Sequence, residues 1–225
     1  MRRLNAGTIL LALLSLGGQA LHAQSRATDA RPAAAAIDAR YNGMKSLRAD
    51  FTEIYSGGGV ERRESGTLRI KKPGKMRWDY ASPQVKMFVT DGATAWFYVP
   101  GERQARRTPL KKLDDLRSPL RYLLGRTKLE KELRGLSLAP DLRPEIPGDL
   151  VLRGIPAGME DRISQVVLES DGLGFLRRIV MEELDGSRTE FRLANQQENV
   201  AIGDAEFSFR PPAGVEVLQT DRLEP

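Results

Sequence analysis

Cysteine is absent from all 225 residues, and the single histidine, His22, lies close to the start of the chain. Without cysteine there is no disulfide, no thiolate nucleophile and no thiol for lipid attachment behind a signal sequence, which favours a free shuttle over an anchored receptor. His22 falls inside the expected signal sequence, which leaves the mature chain without histidine, so Ser-His-Asp and Cys-His nucleophilic sites and His- or Cys-ligated zinc are excluded by composition. Also missing are a GxGxxG or GxxxxGK[ST] phosphate loop and an alignable EF-hand loop. The reading therefore assigns no catalytic residue, no metal and no cofactor, and calls the protein a non-enzyme.

Long apolar runs are scarce too. The one near the start, Ile9 to Leu16, follows Arg2 and Arg3 and precedes small residues ending at Ala23. It is too short for a bilayer span and has the layout of a secretory signal peptide. Cleavage after Ala23 leaves 202 residues, 24–225, enough for one domain with a substantial core outside the cytoplasm. The pI of 9.6 overstates the basic excess, because loss of Arg2 and Arg3 leaves 33 basic against 30 acidic residues. The signs are mixed along the chain, so a solvated surface is expected and a nucleic-acid partner is not.

What is present is mostly period two. A helix is expected from about Ala33, with Ile37, Tyr41 and Met44 at helical spacing and Pro32 in its first turn. From Leu47 the pattern alternates: Leu47, Ala49 and Phe51 face one way, and Leu68 and Ile70 continue into "KKPGKMRWDY". There Met76, Trp78 and Tyr80 alternate with Lys75, Arg77 and Asp79. Asp91-Gly92, Asp171-Gly172 and Asp185-Gly186 are hairpin turns, and their aspartates belong to turn chemistry, not catalysis. A two-residue turn at Asp91-Gly92 predicts pairing of Val89 with Thr94, Met87 with Trp96 and Val85 with Tyr98. It gathers Val85, Met87, Val89, Trp96 and Tyr98 on one face and leaves Lys86, Phe88, Thr90, Phe97 and Val99 on a more mixed one.

Leu113, Leu116, Leu120, Leu123 and Leu124 form an apolar helical stripe within 110–125, split by Pro119. Residues 128–147 are hard to read because Pro140, Pro144 and Pro147 interrupt them. Strands resume from Asp149 to Asn195, and "AEFSFRPPAGVEVLQ" predicts a strand, a Pro-Pro turn and a last strand. The fold class is mainly β with helices: a strongly curved antiparallel sheet or incomplete barrel, helix-covered and able to enclose a hollow. Met76, Trp78, Met87 and Trp96 are open to two readings, ordinary core or cavity lining. The leucine stripe is likewise either a fixed surface helix or a moving lid.

An ordered set of segments resembles the LolA family of periplasmic outer-membrane lipoprotein carriers. It comprises "LRADFTEI", "SGTLRIKKPGKMRWDY", "VTDGATAWFYVPGERQARR", "SPLRYLLG" and "FSFRPPAGVEV". The resemblance implies an incomplete antiparallel β-barrel with an apolar, helix-lidded cavity. It implies a monomer that takes acylated lipoproteins from an inner-membrane ABC transporter to an outer-membrane acceptor, without cofactor or bond chemistry. Under it, Met76, Trp78, Tyr80, Val85, Met87, Val89, Trp96 and Tyr98 line the cavity and Leu113, Leu116, Leu120, Leu123 and Leu124 form the lid. The family often has arginine before the Pro of its turn, bonding lid carbonyls. Here that place is Lys72, which offers a point charge instead of a planar fork. A lipid-binding or lipoprotein-sensing module of the same fold is the alternative. A carboxylate hydrolase is a third, without any facing carboxylate pair in its favour.

Overall fold

The computed structural model describes residues 29–110, 121–124 and 127–220. Its first element is helix α1 (Arg31–Gly43), which has Pro in the first turn and buries Ala33, Ala34, Ile37 and Tyr41. Among the described residues twelve strands follow, with two short helical turns and one 3-10 turn between them. They are β1 (Ser46–Gly57), β2 (Val60–Lys71), β3 (Lys75–Ser82), β4 (Lys86–Asp91), β5 (Thr94–Tyr98) and β6 (Gln104–Pro109). After α2 (Arg121–Leu124) and α3 (Leu129–Glu132) come β7 (Leu133–Leu138), β8 (Leu150–Pro156), β9 (Ile163–Ser170), β10 (Leu176–Glu183) and β11 (Arg188–Glu198). A 3-10 turn (Asp204–Phe207) leads to β12 (Glu216–Gln219).

All twelve strands belong to one curved sheet in the order β12-β6-β5-β4-β3-β2-β1-β11-β10-β9-β8-β7. The sheet is not closed: β12 and β7 are its two edges. Sequence neighbours from β1 to β6 and from β7 to β11 pair antiparallel, as their short connections allow, while β1 joins β2 to β11 and β12 lies parallel to β6.

The pleat sends alternate residues to opposite faces. On the inner face Leu47, Ala49 and Phe51 of β1 stand beside Leu68 and Ile70 of β2 and Met76, Trp78 and Tyr80 of β3. Leu193, Phe191, Ile179 and Leu168 extend this core across the other half of the sheet, and it also takes in Ile37 and Tyr41 of α1 with Tyr122 and Leu123 of α2. Two glycines are set by close approach. A Cβ at Gly66 would stand 1.9 Å from the Asp79 carbonyl oxygen, and at Gly174 (φ 84°) it would stand 2.5 Å from the Ala36 backbone. Glycine thus lets β2 pass β3 and lets the β9-β10 turn press on α1.

Several expectations change. The β4-β5 turn is centred one residue later than expected, on Gly92-Ala93, so Val89 pairs with Trp96 and Met87 with Tyr98. The Asp91 carboxylate organises it by accepting from the amides of Ala93 and Thr94. Each partner thereby moves by an even number of residues, so the face of each side chain is unchanged. "AEFSF" makes a 3-10 turn where a strand is expected, and 128–147 contains α3 and β7.

Candidate functional site

The candidate site is the inner face around Trp78. Met76, Trp78 and Tyr80 are 3%, 1% and 6% exposed and belong to the main core. Their neighbours set an aromatic group: Phe51 meets Trp78 at 4.5 Å and Tyr80 at 4.9 Å, and Phe191 meets Trp78 at 5.4 Å, all edge-on. Edge-to-face contact suits the ring quadrupoles and holds Trp78 in one orientation.

The other named residues do not join this face. Register places Thr90, Phe88 and Lys86 beside Met76, Trp78 and Tyr80, and puts Val89 and Met87 beside Arg77 and Asp79 on the outer face. Trp96 and Tyr98 lie with Val89 and Met87. That outer patch is apolar because the chain's end covers it. Val89, Ile202 and Phe207 form a separate core with Met87, Trp96 and Phe209 against it, and Phe209 meets Trp96 at 5.5 Å and Tyr98 at 5.3 Å. Val85 is 57% exposed. Among the lid leucines, Leu123 is fully buried in the main core, whereas Leu113, Leu116 and Leu120 and the side chain of Leu124 lie outside the described residues.

Period two alone missed a polar end to the inner face. Tyr80 donates to Glu53 at 2.8 Å and Lys86 donates to Glu64 at 2.9 Å, with the Lys86 ammonium 4.3 Å from the centre of the Tyr80 ring. Arg62 reaches Glu64 at 3.3 Å. All but Arg62 are buried. Burial pushes the Glu53 carboxyl above its ordinary value, the Tyr80 hydrogen bond opposes this, and the nearby Glu64 adds to it. A charged residue in step with an apolar strand face was the available signal: Glu53 follows Leu47, Ala49 and Phe51 in the same alternation.

Helix α1 packs Ala33, Ala34, Ile37 and Tyr41 into this core and adds polar contacts at its second half. Asp38 accepts from the Thr127 hydroxyl at 2.7 Å and the Leu129 amide at 2.9 Å, and Asn42 exchanges two hydrogen bonds with the Thr127 backbone. Arg40 pairs with Glu198 at 2.7 Å and lies 3.7 Å from the Phe175 ring centre, and Tyr41 donates to Gln196 at 3.0 Å. The Lys72 ammonium donates to the Tyr41 carbonyl, one of the last-turn acceptors a helix leaves unpaired. Lys72 therefore caps α1. Burial lowers its pKa.

Among the described residues no group of three His, Cys, Asp or Glu side chains is placed to hold a metal ion. Among them also, no helix is long and apolar enough to cross a membrane. The arrangement is a buried, largely apolar face with a polar end at Glu53, Glu64, Tyr80 and Lys86.

The pattern of the family described as outer membrane lipoprotein carrier protein LolA matches residues 42–210. This chain belongs to the LolA family. A curated relative, the outer-membrane lipoprotein carrier protein of Chromobacterium violaceum, is 30% identical over 195 residues, covering 84% of this chain and 88% of that protein. The protein of the same name from Nitrosospira multiformis is 28% identical over 179 residues, covering 77% and 82%. Among solved structures, an uncharacterized conserved protein from Thermus thermophilus superposes with a TM-score of 0.54 at 12% identity, over 85% of this chain and 99% of that one. MucB gives 0.50 at 15% identity, over 84% of this chain and 65% of that one. At such identities these two structures speak to the LolA-family fold alone.

Proposed function

We propose that the chain is a periplasmic carrier that binds the acyl chains of lipoproteins and moves them from the inner to the outer membrane, as a monomer of residues 24–225 without bond chemistry. Family membership supports the reading, and so do relatives named as outer-membrane lipoprotein carriers. The observation that carries it on this chain is the inner face itself: a buried, largely apolar face with one polar end, under a helix that adds polar contacts to its buried Ala33, Ala34, Ile37 and Tyr41. In this reading Met76, Trp78 and Tyr80 meet acyl chains once α1 and the leucine segment move aside, and the open sheet becomes the wall of a cavity. Donor and acceptor are an inner-membrane ABC transporter and an outer-membrane receptor.

Energy bounds the mechanism. Each buried methylene contributes about 0.8 kcal/mol, so a long acyl chain contributes about 10 kcal/mol if fully enclosed. Several such chains would never leave. The helix must return to the face on release, and its re-burial offsets part of that affinity.

The test is release of a triacylated lipoprotein from inner-membrane vesicles containing the transporter, with ATP, by the purified mature protein. The expected product is a soluble complex with the acylated form and none with the unacylated polypeptide. Equal capture of both forms, or capture of neither, defeats the carrier reading.

A further inference from the structure

Trp78 is 1% exposed at the middle of the inner face, and its indole Nε1 is buried with no hydrogen-bond acceptor. An indole nitrogen only donates, and an unpaired buried donor is a cost that native cores mostly avoid. The indole fills more volume than a phenyl ring would, but the edge-on contacts with Phe51 and Phe191 make no use of its N–H. Two residues further along the strand, the Tyr80 hydroxyl of the same face has its acceptor in Glu53.

The place of Trp78 on the face is equally informative. Along β1 the inward residues run Leu47, Ala49, Phe51, then Glu53; along β2 they run Ile70, Leu68, Gly66, then Glu64; along β3, Met76, Trp78, then Tyr80; and β4 contributes Thr90, Phe88, then Lys86. Apart from the Thr90 hydroxyl, the face is apolar at one end, and it is charged at the other, where half-exposed Arg62 leads out to solvent. Trp78 stands at the boundary. An acyl chain attached through an ester or amide has the same grading: hydrocarbon, then one strong acceptor, then a polar head.

We propose that Trp78 Nε1 is a cargo-binding donor that takes the ester or amide carbonyl oxygen of a bound acyl group, directing the hydrocarbon toward Met76 and Leu47 and the head toward Glu64 and Lys86. This rests on the carrier reading and adds to it a polar anchor and a direction. The acceptor missing in the empty protein arrives with the ligand, so part of the cost of burying the donor is recovered only in the loaded state.

The experiment compares a dipalmitoyl-glyceryl-cysteine peptide with its dihexadecyl ether analogue, which has the same chains without ester carbonyls. The chain has two tryptophans, so Trp96→Phe assigns the Trp78 indole resonance by difference. The ester ligand should move the Trp78 indole N–H downfield, and the ether ligand should not. Trp78→Phe should weaken the ester ligand about tenfold, or ~1.4 kcal/mol, and leave the ether ligand within about twofold. Equal indole shifts with both ligands, or equal weakening of both by Trp78→Phe, overturns the anchor while leaving the carrier intact. Failure of the parent to bind either ligand overturns both. The resonance is read with Trp78 in place, so a poorly folding variant does not decide the matter.

Discussion

Single side chains carry two separable effects. Lys72 places an ammonium against the Tyr41 carbonyl at the end of α1, where a cation also meets the negative end of the helix. Lys72→Ala should cost about 1 kcal/mol in urea unfolding, because the carbonyl then has only water to turn to. Lys72→Arg should recover most of it, and an unchanged midpoint for Lys72→Ala would mean the contact holds nothing. Glu53 acts through pH. Its folded-state pKa is raised, mainly by burial, so between the ordinary carboxylate value of about 4.3 and the raised one the native state binds more protons than the unfolded chain. Stability attributable to Glu53 is therefore full at low pH and falls as pH rises through that window. Glu53→Gln, which keeps an acceptor for Tyr80, should remove that fall from a series of unfolding measurements between pH 4 and 8. An identical slope in parent and variant would discount it.

At the scale of elements, the two faces of β4 and β5 explain both what the sequence made legible and what it hid. Alternation places Met87, Val89, Trp96 and Tyr98 correctly on one face, because the pleat is local. It does not say which face is inside when both carry large apolar groups. Inside is decided by the pairing of Trp78 with Phe88, and the outer patch is apolar because Ile202 and Phe207 pack on it from far along the chain. Short aromatic alternation also disguises a 3-10 turn as a strand, since Phe207 and Phe209 anchor a covering segment instead of entering the sheet. Polar contacts fix that segment: Lys71 reaches the Ile202 carbonyl at 2.8 Å, and Arg77 reaches the Glu206 carbonyl at 3.1 Å. Phe207 is 1% exposed, so Phe207→Ala should cost about 3–5 kcal/mol by leaving a cavity over Val89. Acyl ligand binding, corrected for the folded fraction, should not change. A loss of binding by fully folded Phe207→Ala would place the outer face in the site.

For the whole molecule, an open sheet with a covered face on each side raises the question of which cover moves. The outer cover inserts Phe207 and Phe209, large aromatics whose removal opens real apolar area. The inner cover presents Ala30, Ala33 and Ala34 with Ile37, Tyr41 and Met44 as larger groups, and Asp38, Arg40, Asn42 and Lys72 add polar contacts. Alanine methyls bury little area, and the polar groups can turn to water when parted, so lifting α1 sacrifices less than lifting the outer segment. On the proposed carrier reading, an acyl chain taking the helix's place would keep Met76 and Trp78 dry, so no large apolar patch would be exposed during the exchange. Hydrogen exchange with and without a bound acylated peptide tests this directly. Amides of 34–43 should lose protection on loading, while those of 200–209 and of β3 keep theirs. Protection rising at α1 together with the sheet would mean that cargo binds with the helix in place, and loss at 200–209 instead would make the outer segment the moving cover.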